Sequence, residues 1–171
     1  MNLSLLKHNK LPDEFFVIIE ISMNSDPIKY ELDDCGVIVV DRVMNVAMRY
    51  PCNYGFIPHT LGGDGDPLDV LVLFNYPIIP GAAIHCRPIG VLVMEDESGM
   101  DEKIIAVPTS KVDNSFSMML DIENIPHTKK EKIQHFFEHY KDLEKEKWVK
   151  IIGWRDKTLA KDLILSASQN V

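Results

Sequence analysis

No run of about eighteen apolar residues occurs in this 171-residue chain, which excludes a membrane-spanning helix. Cysteine is scarce: Cys35, Cys52 and Cys86 are an odd, widely spaced set. They read as reduced thiols of a cytoplasmic protein and exclude a disulfide framework or a cysteine-based zinc site. The 9 glycines and 10 prolines follow no fixed period, so collagen-like and low-complexity readings fall. Basic residues are outnumbered, 18 against 26 acidic, giving a net charge of -8 and arguing against a nucleic-acid partner. No GxxxxGK[ST], helix-opening GxGxxG or GxSxG is present, so a P-loop, a dinucleotide fold and a serine-hydrolase elbow are not expected. In Met1–Lys10 the one apolar patch is weak, Leu3, Leu5 and Leu6, and the lysines follow it, so no secretory signal is expected.

What is present is an ordinary globular composition, 46% hydrophobic and 26% charged, long enough for one domain over residues 1–171. Strand-like runs cover Phe15–Ile21, Ile28–Leu32, Gly36–Arg42, Leu68–Phe74, Ile84–Met94 and Lys103–Val107. Turn signals at Asp26-Pro27, Asp33-Asp34, Gly62-Gly63, Pro80-Gly81 and Ser98-Gly99 separate them. Short strands at this spacing predict a closed or strongly curved antiparallel sheet. Thr128-Lys-Lys-Glu131 reads as a capping box opening a helix on which Ile133, Phe136, Phe137, Tyr140 and Leu143 recur. Trp148–Trp154 reads as a strand, and Asp156 as the cap of a last helix with Leu159, Leu163, Ile164 and Ala167. The expectation is an α+β protein: a β-barrel core with helices added late.

The chemistry concentrates in Asp64-Gly-Asp-Pro-Leu-Asp69, where three aspartates enter an apolar strand after a Gly-Gly pair. Hard cations such as Mg²⁺ need several carboxylate oxygens at one point, though a solvated acidic turn has the same look. An EF-hand does not fit, because its glycine position holds Asp69 and its glutamate position Asn75. A second acidic segment, Glu95 to Lys103, turns through Ser98-Gly99 and carries Asp96, Glu97 and Asp101. Alone it is an exposed hairpin tip; brought beside the first it makes a multi-metal site, and repulsion opposes that meeting without a cation. Glu20 ends the stripe of Phe16 and Ile18, as a rim residue or a buried functional acid. Lys29 and Glu31 share one face of their strand, either a plain polar face or the lining of a charged cleft.

Basic residues are rare in the β part, and Lys29, Arg42 and Lys103 stand near the acidic elements, with Lys141 beside Tyr140 on the helix. Carboxylates for metal and Lys/Arg for phosphate form the electrostatic layout of phosphoryl transfer. Tyr50 and Tyr54 either donate phenol hydrogen bonds to the same oxygens or pack in the core. His59, His85 and His127 are isolated; His135 and His139, one helical turn apart, point to packing or a subunit contact. The methionines read as core filler.

These segments together resemble the soluble family I inorganic pyrophosphatases, in the short bacterial form. The aspartate motif at 64–70 carries the likeness with IEI (19–21), DPIKYE (26–31), VDR (40–42), YPCNYGFIPHTL (50–61), CRPIGVL (86–92), FFEHYKDLEKEKWVK (136–150) and GW (153–154). The resemblance implies a five-stranded OB-like β-barrel with flanking helices and Mg²⁺-dependent hydrolysis of diphosphate. Mn²⁺ or Zn²⁺ are possible substitutes for Mg²⁺. It also implies a cytoplasmic homo-oligomer, a hexamer built as a dimer of trimers. By position, Asp64, Asp69 and Asp101 match the ligands of a first metal, with Asp69 bridging to a second. Asp96 and Asp101 match those of substrate-borne metal, and Glu20, Glu31 and Glu97 act mainly through metal-bound water. Asp66 matches the general base. Lys29, Arg42, Lys103, Tyr54, Tyr140 and Lys141 match phosphate ligands, with Lys29, Arg42 and Tyr54 also in the catalytic set, and Tyr50 matches a site tyrosine. The loop from Asp33 to Gly36 is about one residue shorter than the usual pattern and touches no site position. Two other readings use the same charges: a metal- or polyphosphate-binding module without catalysis, and a nucleotide pyrophosphohydrolase, for which no base-stacking platform adjoins the acids.

Overall fold

A computed structural model of the chain describes residues 6–33 and 35–169. Leu3, Leu5 and the Asp34 half of the Asp33-Asp34 turn signal therefore lie outside the described residues. Among the described residues, eight strands and two α-helices follow in order: β1 Phe15–Ile21, β2 Ile28–Leu32, β3 Ile38–Val43, β4 Asn53–Phe56, β5 Asp69–Val72, β6 Ala83–Asp96, β7 Gly99–Pro108, α1 His127–His139, β8 Val149–Arg155 and α2 Lys157–Ser168.

The main sheet runs β1-β4-β5-β7-β6-β8, and β1 also pairs with β6, so five strands close into a ring with β8 added outside it. A bulge between Ile19 and Ile21 bends β1, whose first half pairs with β6 and whose second half pairs with β4. The expected all-antiparallel sheet needs one correction, because β5 and β7 run parallel, Val70 opposite Ile104. The long β6, inserted between them in sequence, supplies the crossover that a parallel pair requires.

The strand β4 carries no apolar alternation and was not expected. Asn53 opens it, fully buried, accepting from Met23 N–H and Ile78 N–H and donating to Tyr76 C=O. Gly55 then lets β4 approach β1: a Cβ there would stand 1.8 Å from Ile18 O. Side-chain chemistry and a missing Cβ build this strand where periodicity is silent.

Alternation along the ring strands divides the core into two layers. Leu71, Leu92, Met94, Ile105 and Val107 join Ile133, Phe136 and Phe137 of α1. Val70, Val72, Val91, Ile104 and Ala106 join Ala160, Ile164 and Ala167 of α2. Both faces are apolar, which is why these strands read as unbroken hydrophobic runs. Asp156 caps α2 as expected, accepting from Leu159 N–H at 3.1 Å. At α1 the expected capping box does not form. The helix starts at His127 after Pro126, with no side-chain cap, and Glu131 instead faces His127 at 3.4 Å. Pro126 holds the cap position with no side-chain acceptor, and its C=O accepts from Lys129 N–H and Lys130 N–H. Because α1 ends at His139, Leu143 falls beyond it and is exposed. Met44 and Met94 are core filler, but Met100 and Met118 are exposed. No helix among the described residues is long and apolar enough to cross a membrane.

Candidate active site

The ring supplies the first wall of a cleft. The parallel register of Val70 with Ile104 brings Asp69 level with Lys103. The Lys103 ammonium, 6% exposed, forms an ion pair with Asp69 and lies 2.8 Å from Asp101. Burial works against its charge, but Asp69 and Asp101 outweigh that and hold Lys103 well above the usual lysine range. Its Nζ is 3.5 Å from the hydroxyl of Tyr54, a buried residue on β4. Asp101 is pushed up by burial, with Asp69 and Asp96 adding to the effect of burial.

The floor is the loop between β4 and β5. Thr60 Oγ1 donates to Ile57 C=O and accepts from Leu68 N–H, while Gly62 N–H reaches Asp66 C=O at 2.7 Å. Gly65 has φ +92°, a conformation natural to glycine, and Asp64 Oδ1 accepts from Asp66 N–H at 3.0 Å. The turn exposes Asp64 and Asp66 side by side. No hydrogen bond or ion pair engages the Asp66 side chain among the described residues.

The second wall is the two-stranded β2–β3 hairpin, where Lys29 stands opposite Arg42. Lys29 is paired with Glu31, so this polar face lines the cleft. Glu20, at the end of β1, is buried and accepts from Leu32 N–H at 2.8 Å, which ties hairpin to ring. Burial raises its carboxyl to about 7; Asp69 and Glu31 add to this, and the Leu32 N–H offsets part of it.

The remaining side comes from the β6–β7 tip and the end of α1. Lys141 Nζ is 2.7 Å from Asp96 and 3.6 Å from Glu97. For Asp96, burial is outweighed by Lys141 and by Ser98 N–H, which lower it. Tyr50 packs between Tyr54 (5.2 Å) and Phe136 (4.7 Å), and Tyr140 stacks on Phe136 at 5.5 Å. Burial raises the hydroxyls of Tyr50, Tyr54 and Tyr140, which keeps all three as neutral donors.

These parts enclose a cleft of about 380 Å³ lined by Lys29, Arg42, Tyr50, Tyr54, Asp64, Asp66, Asp69, Asp96, Glu97, Asp101, Lys103, Tyr140 and Lys141. A second limb of about 260 Å³, sharing Lys29, Tyr54, Asp64, Asp66 and Asp69, adds Glu20 and Glu31. Every site residue expected from the sequence thus lines one or both of two cavities that share these five residues. The two acidic segments do meet, and the Lys103 ammonium between Asp69 and Asp101 offsets the repulsion expected to oppose this. His135 and His139 stay out of the cleft, their rings 4.6 Å apart, with His139 2.7 Å from Asp142. Sequence reasoning passed over Lys147, which lines the cleft 3.7 Å from Glu97, and Asp41, 3.6 Å from Lys29. Both stand inside quoted segments, and nothing in their spacing marked them.

The donor set is all oxygen, which suits a hard divalent cation. Among the described residues, no three acidic, histidine or cysteine side chains yet converge on one point. Burial is the chief cause that raises Glu20 and Asp101, and repulsion from neighbouring carboxylates adds to it. An added cation would relieve that repulsion, so the residues fit such an ion.

Comparison with known proteins agrees with this layout. The family profile described as inorganic pyrophosphatase matches residues 17–171. The inorganic pyrophosphatase of Rickettsia bellii is 59% identical over 93% of this chain and 91% of its own. The solved structure of the Coxiella burnetii inorganic pyrophosphatase superposes with a TM-score of 0.93 at 46% identity, covering 96% of this chain and 98% of that one. The Thermus thermophilus enzyme superposes at 0.91 with 44% identity, covering 95% and 94%. With its fold, its cleft and these likenesses in agreement, the chain belongs to the inorganic pyrophosphatase family.

Proposed function

We propose that this chain hydrolyses inorganic diphosphate to two orthophosphates with Mg²⁺, by direct in-line attack of water and without a covalent intermediate. The observation that carries the reading is one cleft holding both a carboxylate set and a cationic set. Asp64, Asp69 and Asp101 would hold a first cation, with Asp69 shared by a second. Asp96 and Asp101 would hold a cation arriving with substrate, and Glu20, Glu31 and Glu97 would act through water. Mn²⁺ or Zn²⁺ are candidate substitutes. Such ions supply Lewis-acid activation of water and screening of phosphate charge. Lys29, Arg42, Lys103 and Lys141, with the hydroxyls of Tyr54 and Tyr140, bind phosphate oxygens and stabilise the leaving phosphate. Tyr50 backs Tyr54 and fixes its ring. Asp66, exposed and with its side chain unengaged, takes the proton of the attacking water.

The test is release of orthophosphate from diphosphate with and without Mg²⁺, with deoxynucleoside triphosphates as a parallel substrate. Diphosphate left intact in Mg²⁺ refutes the reading, and preferential nucleotide cleavage replaces it with a nucleotide pyrophosphohydrolase. Asp66→Asn should keep the fold and lower turnover about 10³-fold. Wild-type turnover in that variant removes Asp66 as base.

The reading extends to the whole chain, 1–171, acting as one cytoplasmic domain in a homohexamer, a dimer of trimers. The subunit contact is assigned to the His135–His139 pair on α1, which lies outside the cleft. Light scattering on the purified protein checks the assembly.

A further inference from the structure

Asp41 breaks the β2–β3 ladder. Lys29 pairs with Arg42 and Tyr30 with Val40, so Asp41 is an extra residue without a cross-strand partner, a β-bulge. Strict alternation would send Asp41 and Arg42 to opposite faces. The bulge cancels that alternation: Asp41 Oδ2 lies 3.6 Å from Lys29 Nζ and 3.5 Å from Arg42 Nε. The hairpin therefore gathers two cations around one carboxylate, at the edge of a cleft that both cations line.

We propose that Asp41 is a positioning residue for diphosphate hydrolysis, its carboxylate holding Lys29 and Arg42 as a pair aimed at the phosphates. The proposal rests on the function proposed above. Arg42 has no other carboxylate partner among the described residues. Lys29 has a second, Glu31, but Glu31 belongs to the set assigned to cations. When a cation claims Glu31, Asp41 is the anchor that Lys29 keeps. A negative charge beside an anionic substrate weakens ground-state attraction. Its contribution is therefore orientation, and misplacing a group by about 1 Å can cost up to 10²-fold in rate.

The experiment compares steady-state diphosphate hydrolysis in Mg²⁺ for wild type, Asp41→Asn and Asp41→Glu. Asp41→Asn is isosteric, and the side chain is 32% exposed, so its thermal midpoint should match wild type. The expected result is kcat reduced about tenfold with KM unchanged or lower, and most of the rate regained in Asp41→Glu. A loss confined to hairpin packing would instead lower the midpoint and raise KM. An Asp41→Asn kcat within twofold of wild type overturns the proposal, as does a loss that Glu does not relieve. Failure of wild type itself to release phosphate overturns the underlying function, so the two failures are distinguishable.

Discussion

The two walls of the cleft are built on opposite plans. The ring wall places Tyr54, Asp69, Asp101 and Lys103 on three strands of a closed sheet, behind which Leu71, Ile104 and Ile105 are completely buried. The hairpin wall places Lys29, Glu31, Asp41 and Arg42 on two strands, where Val40 and Val43 are each 61% exposed. In the ring, the charges meet around a buried ammonium, where water is scarcer and attraction stronger. On the hairpin, solvent screens them and each contact is weak. The ring holds its groups by burial, and the hairpin holds Lys29 and Arg42 through carboxylate contacts near solvent. Glu20 joins the two, with its backbone in β1 and its carboxylate on Leu32 N–H.

The sharpest way to break this contrast is to remove one lysine from each wall. Lys103→Met leaves Asp69 and Asp101 facing each other across a mostly buried space. Loss of one partner from a buried pair costs about 3–5 kcal/mol. Lys29→Met removes a side chain 24% exposed whose partners Glu31 and Asp41 are more exposed still, so it should cost less than about 1 kcal/mol. Urea unfolding in chelator reads both. Added Mg²⁺ should recover part of the Lys103→Met loss, since a divalent ion can occupy the lysine's place between carboxylates. Equal losses in the two variants would abolish the distinction between the walls.

Glu20 tests the junction through pH. Its carboxyl is raised from 4.5 to about 7, chiefly by burial. A raised carboxyl binds more proton in the folded state than in the unfolded state between those two values. Stability therefore falls as pH climbs from about 4.5 to about 7. Each pKa unit is worth about 1.4 kcal/mol, so the full loss above pH 7 is on the order of 3 kcal/mol. Glu20→Gln keeps the acceptor for Leu32 N–H and removes the charge. In metal-free buffer it should be more stable than wild type at pH 8 and equal to it near pH 4.5. A gap that does not change with pH would place the carboxylate in a wetter setting than its burial implies.

Much of this layout was legible from the residues because it follows periodicity. The apolar runs of β1, β5, β6 and β7, the cap at Asp156 and the Ser98-Gly99 turn all stand where patterning put them. The site positions were legible through motif resemblance; spacing alone could not separate Asp64–Asp69 from an acidic turn. What stayed hidden depends on contacts distant in sequence. The β4 strand exists because Asn53 stitches two loops and Gly55 lacks a Cβ, neither of which has a period. The parallel β5–β7 pair follows from how the ring closes around β6. Asp41 meets both Lys29 and Arg42 because a bulge interrupts the ladder, and a bulge leaves no mark in hydrophobic alternation.

The smallest effect distinguishes the two regions without touching the chemistry. Cys35 follows the β2 strand of the hairpin and is exposed, whereas Cys52 and Cys86 are buried with the ring. Burial pushes the Cys52 thiol up to about 12 and raises Cys86 as well, so neither offers thiolate near neutral pH. Under native conditions a thiol reagent should label one cysteine rapidly, and mass mapping should find it at Cys35. The other two should react only as the ring opens, and the Mg²⁺ binding proposed above should slow them. If Cys52 reacted as fast as Cys35, the β3–β4 connection would open independently of the ring, and the ring wall would begin later in the chain than Tyr50.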